Sequence, residues 1–147
     1  MCTPAGMPIT WALASPKIDE RDVLTAIIDR APYLATDRPH LLLIADKGFA
    51  SAQFEADLAA RGITLLRPSF KREKPRAGEP LLKSVRQLIE SVNDILKDQL
   101  GLEQHGGRTF EGVAVRVAQR ILAMATAIWH NHHNGAPVTR SLIAFDH

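Results

Sequence analysis

Apolar and polar positions alternate along this chain in blocks that read as strands and helices in turn. Cys2-Thr3-Pro4-Ala5-Gly6-Met7-Pro8 carries the Pro and Gly of a tight turn, and Ile9 to Ala14 follows as a mostly apolar strand. Asp19 or a neighbour caps a helix that runs to Arg30, with Val23, Leu24, Ile27 and Ile28 on its inner face. Past a loop from Pro32 to Pro39, Leu41-Leu42-Leu43-Ile44-Ala45 is an unbroken apolar run, the pattern of a strand covered on both faces. Ser51 caps the next helix, which stops at Gly62, and Ile63 to Leu66 is a further short strand. A Pro- and Lys/Arg-rich loop, Arg67 to Pro80, leads to a helix from about Leu82 to Leu100. Thr109 caps a last helix to about His130, with Val113, Val117, Ile121, Met124 and Ile128 as its core positions. The tail from Pro137 reads as irregular.

Strand and helix alternate, so the expected class is α/β, with a largely parallel sheet and right-handed crossovers. Ligand and catalytic sites in such sheets form at the carboxyl ends of strands. Asp46 stands directly after the apolar run, and its position marks it as a candidate. The commoner fate of an Asp before Lys-Gly is to cap the next turn.

Composition narrows the field only a little. The 147 residues fit one ordinary domain, and the net charge of +2 says little about partners. Cys2 is the only cysteine, which excludes an internal disulfide and suits a reducing compartment. No basic segment followed by an apolar one opens the chain, and Ile121 to Trp129 falls far short of a bilayer span, so the expectation is a cytoplasmic protein without a membrane partner.

Local charge is more telling. Between Arg67 and Arg86 stand Arg67, Lys71, Arg72, Lys74, Arg76, Lys83 and Arg86 against Glu73 and Glu79, a balance that attracts phosphates. On the helix beyond, at about 100° per residue, Arg86, Glu90, Asn93 and Lys97 share one stripe beside an apolar face of Val85, Ile89, Val92 and Leu96. By itself such a stripe is an ordinary solvated surface. With Asp46 it becomes part of what metal-assisted phosphodiester chemistry requires: converging carboxylates with cations nearby for the phosphates. Trp129-His130-Asn131-His132-His133 has no Cys or carboxylate close by to complete a metal site and reads as a polar helix end.

These residues carry a specific resemblance. Asp46-Lys47-Gly48-Phe49 resembles the D-[KRS]-G-[YF] motif around the second acid of bacterial insertion-sequence DDE transposases, C-terminal portion. Arg86, Glu90 and Lys97 match the R-(3)-E-(6)-K signature around the third acid, and Leu102 to Thr109 and Arg140 to His147 are also similar to that group. The resemblance implies a ribonuclease-H-like fold with C-terminal helices, 1–147 forming a partial catalytic domain. It implies Mg²⁺ or Mn²⁺ held by Asp46 and Glu90 together with a first acid. DNA at the element's ends would be the partner, with Arg86 and Lys97 on phosphates, and Lys47, Asn93, Lys71, Arg72 and Lys74 as further contacts.

Two departures matter. Lys83 stands where the family has an aromatic residue, three positions before Arg86. No Asp or Glu precedes Asp19, and Asp19, Glu20 and Asp22 read as helix-start acids favoured by the dipole. The first strand and its acid are thus expected to be missing, which leaves the edge of Leu41 to Ala45 open to another chain. The expectation is a product inactive alone and prone to self-association. Its alternative is a non-catalytic remnant that binds DNA or a full-length transposase.

Overall fold

The computed structural model describes residues 1–136 and divides into two compact units. One comprises Ala12–Lys83; the other joins Met1–Trp11 to the chain from Ser84 onward. The similarity noted at Arg140 to His147, and the irregular tail from Pro137, lie outside the described residues.

In the first unit, α1 (Glu20–Arg30) starts where Asp19 accepts the Arg21 amide, and buries Leu24 and Ile28. A single turn, α2 (Tyr33–Thr36), buries Leu34 within what the sequence suggested was plain loop. Strand β1 (Leu41–Ile44) follows, then α3 (Ala52–Ala60), capped by Ser51 on the Phe54 amide. Gly62, at φ 73°, turns the chain after α3 into β2 (Ile63–Leu66). The strands pair in parallel, Leu41 opposite Ile63 through Ile44 opposite Leu66, and the Ala45 amide extends the ladder to the Leu66 carbonyl.

Burial falls mainly on the second strand. Ile63, Leu65 and Leu66 are buried, as are Phe54 and Leu58 of the neighbouring α3, whereas Leu42 of β1 is 47% exposed. The expectation that Leu41 to Ala45 is covered on both faces is therefore corrected. An unbroken apolar run fixes a strand but not how many layers cover it. Among the described residues β1 pairs with β2 alone, so its other edge carries no strand.

In the second unit, the opening turn closes through a single antiparallel bridge, Cys2 to Pro8. Ile9 to Ala14, expected as a strand, is irregular: the Ile9 amide bonds the Met1 carbonyl and Thr10 accepts the Met1 amino group, but beyond Thr10 no backbone pairing among the described residues continues the bridge. Helix α4 (Leu82–Asp94) passes directly into a π-turn, Ile95–Gln99, in which the Leu100 amide reaches back to the Ile95 carbonyl at 2.9 Å. The single α-helix expected to Leu100 is thus broken at Asp94.

The π-turn brings Ile95, Leu96 and Leu100 to one core with Val92, where Met124 and Ile128 of α5 (Phe110–His133) meet them. Ile89, expected on the buried face, is 41% exposed. Thr109 caps α5 on the Gly112 amide. At 24 residues α5 is long and apolar enough to cross a membrane by length and composition, contrary to the reading from Ile121 to Trp129 alone. Its Met124 and Ile128 are packed against protein here.

Candidate functional site

Asp46 owes its position to the ladder. Hydrogen bonding runs along β1 as far as Ala45, so the next residue leaves the carboxyl end of the strand from a fixed point. Its carboxylate accepts the Gly48 amide at 2.7 Å and starts a 3₁₀ turn, Lys47–Phe49. Capping and a chemical role are compatible, because a carboxylate offers more acceptor sites than one amide fills. Asp46 is exposed.

The geometry explains the glycine of the Asp-Lys-Gly-Phe motif. A Cβ on Gly48 would stand 3.0 Å from Asp46 Oδ1 and 3.8 Å from Glu20 Oε2. Glu20, at the first turn of α1, therefore faces the same turn as Asp46, which its reading as a helix-start acid did not bring out. Phe49 anchors the turn by packing its ring at 6.3 Å from that of Phe54.

β1 and β2 are parallel, so β2 delivers Arg67 at the same carboxyl end as Asp46. Arg67 is only 4% exposed. Its Nε donates to Glu55 at 2.9 Å, its two terminal nitrogens donate to Glu73 at 2.9 Å each, and Nη1 also reaches the Pro68 carbonyl. Arg76 binds the same Glu55 with both terminal nitrogens, at 2.9 and 3.1 Å. Glu79 accepts the Ser69 amide and hydroxyl and the Arg76 amide.

The carboxylates respond to these partners. The Arg67 hydrogen bonds, with the Phe70 amide, hold Glu73 down at about 2. Burial alone would raise Glu55, but Arg76 and Arg67 outweigh it and keep it below its ordinary value. The Ser69 amide and hydroxyl lower Glu79. Two of the cations counted from sequence, Arg67 and Arg76, are thus spent inside the loop, which corrects the balance of seven against two. Lys71, Arg72 and Lys74 are exposed at its tip and form no ion pair among the described residues. Lys47 stands close enough to Glu79 to help lower it.

The other sequence-derived residues lie in the second unit. On α4, Arg86 Nε donates to Glu90 at 2.8 Å, with side chains 81% and 55% exposed. Asn93 is exposed on the same helix. Lys97 does not continue the stripe of Arg86, Glu90 and Asn93, because the π-turn changes the residue angle after Asp94. It pairs instead with Glu103 at 3.0 Å, and that hydrogen bond raises the lysine's pKa. Neither Glu103 nor Glu55 carries a signal in the sequence; each is recognised only by the cation it meets.

Among the described residues no three Asp, Glu, His or Cys side chains converge to hold a metal ion. Near the end of α5, the Trp129 ring stacks on His133 at 5.2 Å and His130 Nε2 lies 2.9 Å from the Asn134 amide nitrogen, so this helix end has polar partners of its own.

Compared with known protein families, the chain matches the model of the transposase DDE domain over residues 1–126, which includes Asp46, the basic loop, Glu90 and Lys97. Comparison with curated proteins and with solved structures gave no match.

Proposed function

Since the chain belongs to the transposase DDE domain family, we propose that it serves DNA cleavage and strand transfer at the ends of an insertion sequence, with Asp46 and Glu90 as two of the acids. The observation that carries this reading is Asp46 fixed at the carboxyl end of a laddered parallel strand, inside the family match. Enzymes of this family generally use divalent metal ions, and Mg²⁺ or Mn²⁺ is the cofactor we assign to the reaction.

The side chains described do not by themselves fit that cofactor. Two-metal phosphoryl transfer needs several carboxylates on ions about 3.5–4 Å apart, and no group of three is assembled among the described residues. On this reading the polypeptide alone does not carry out strand transfer, because the reaction needs a carboxylate beyond Asp46 and Glu90. What this chain's own groups do is bind and orient. Lys71, Arg72 and Lys74 of the loop take DNA phosphates, and Lys47, next to Asp46, adds a further contact. Arg86 and Lys97 take phosphates near Glu90, each exchanging an internal carboxylate for one, and Asn93 adds a neutral donor. The site of action is the cytoplasm, where the DNA is.

One observation favours a second reading, a non-catalytic member that binds DNA or a full-length transposase. Asp46 and Glu90 each already satisfy an internal partner, and β1 has an edge with no strand on it among the described residues. That edge is also the route to self-association. Nicking of a supercoiled plasmid in Mn²⁺ separates the readings. The catalytic one requires nicking when an acid-bearing strand is fused ahead of Met1; the second is supported if no such fusion ever nicks.

A further inference from the structure

The loop between β2 and α4 is built as an object with an inside and an outside. Inside lie the buried Arg67 and the partly buried Arg76, tied to one carboxylate, Glu55, that comes from α3 rather than from the loop. Glu73 closes the ring from the tip, accepting Arg67 and the Phe70 amide at 2.8 Å. The Arg67 guanidinium lies 5.3 Å from the Phe70 ring centroid and supports it from one side. Glu79 ties Ser69 to Arg76 across the base. Of the loop's cations, Lys71, Arg72 and Lys74 are the ones left outside.

We propose that Glu55 is a positioning residue for capture of the nucleic-acid backbone: by clamping Arg67 and Arg76 to α3, it holds Lys71, Arg72 and Lys74 in a preformed phosphate-binding finger at the strand end that bears Asp46. This rests on the reading that the loop's free cations meet DNA. It goes further in dividing five of the seven cations of the sequence between two jobs. Arg67 and Arg76 brace, and the tip cations bind. A loop held in its binding form need not be ordered at the moment of binding, which preserves affinity.

The sign of the effect makes this testable. Glu55→Gln removes a negative charge, and simple electrostatics then predicts tighter DNA binding. The clamp predicts the reverse. The full chain is titrated against a fluorescently labelled random-sequence duplex over a range of salt. Affinity of Glu55→Gln falls roughly three- to tenfold, the loss expected if the competent loop drops to that fraction of the population, at an unchanged salt slope. Hydrogen exchange at Ser69, Phe70 and Arg76 speeds up while that at Ile63 to Leu66 does not, which locates the effect in the loop. Unchanged or tighter binding overturns the proposal. So does a slope steeper by about 0.9 for each added phosphate contact, since Arg67 and Arg76 would then be binding DNA themselves.

If Glu55→Gln does not fold, Glu73→Gln removes the outer half of the clamp and must weaken binding in the same sense; tighter binding overturns the proposal there too. A Lys71→Ala/Arg72→Ala/Lys74→Ala variant separates the two levels. If it leaves affinity and slope untouched, the DNA reading of the loop itself is wrong. If it flattens the slope while Glu55→Gln changes nothing, only the clamp is wrong.

Discussion

Replacing Arg67 by methionine probes how much of the first unit depends on one side chain. Methionine keeps most of the apolar stem and removes the guanidinium, which makes three charge-assisted bonds to Glu55 and Glu73 and one to a carbonyl. Breaking a buried ion pair by removing one partner costs about 3–5 kcal/mol when the other charge is stranded. Here the carboxylates are not stranded. Glu55 keeps Arg76, and the Glu55 and Glu73 side chains are 25% and 36% exposed, so water recovers part of the loss. A net loss of about 2 kcal/mol remains. Urea unfolding followed by circular dichroism should show this as a lower midpoint with an unchanged slope.

The pH dependence of that loss follows from the lowered carboxylates. A group whose folded pKa is depressed contributes stability above its unfolded value and loses it as pH falls through the folded value. The difference between wild type and Arg67→Met should therefore hold at neutral pH, begin to narrow below the ordinary glutamate range of about 4.3, and close towards pH 2, where Glu73 titrates. A difference under about 0.5 kcal/mol at neutral pH would show the pairs to be ordinary surface contacts, and the reasoning would fail.

Three other outcomes are expected. Asp46→Asn keeps a side chain able to cap the Gly48 amide, so stability should move by less than about 0.5 kcal/mol while any metal-dependent nicking by a completed enzyme disappears; a large loss of stability would assign Asp46 a structural role instead. Glu103→Gln releases Lys97 from an exposed pair, so duplex affinity should rise about two- to fivefold; an unchanged titration would remove Lys97 from the DNA contacts. Met124→Ala, at a residue 1% exposed in the core with Val92, Ile95 and Ile128, should cost about 2–5 kcal/mol in chemical unfolding, and a cost below about 1 kcal/mol would mean the π-turn core is loosely packed.

The parts of the fold readable from sequence were those set by local chemistry. Asp19, Ser51 and Thr109 each accept the amide that a capping residue should, and β2 occupies Ile63–Leu66 as its pattern indicates. The elements misread were those decided by neighbours. Ile9 to Ala14 has strand composition but no ladder. Leu41 to Ile44 has the composition of a covered strand and leaves Leu42 exposed. The π-turn was encoded faintly, in apolar Ile95 and Leu96 followed by Leu100 five residues after Ile95, a spacing that an α-helix would scatter and a wider turn collects.

The candidate site divides the same way. Asp46 and Glu90 were visible from motif and position, and both are accessible. The fate of the basic stretch was not. Glu55 lies 12 and 21 positions from Arg67 and Arg76, so the neutralisation of those two cations exists only once α3 packs on β2. A count of charges along the sequence treats all cations alike, whereas burial divides them.

The most direct test of the account is metal-dependent nicking, measured on supercoiled plasmid in Mn²⁺ for this chain alone and for a fusion that places an acid-bearing strand ahead of Met1. The account predicts no nicking by the chain alone, nicking by the fusion, and its loss in both Asp46→Asn and Glu90→Gln fusions. Nicking by the chain alone, or nicking that survives either substitution, would contradict it.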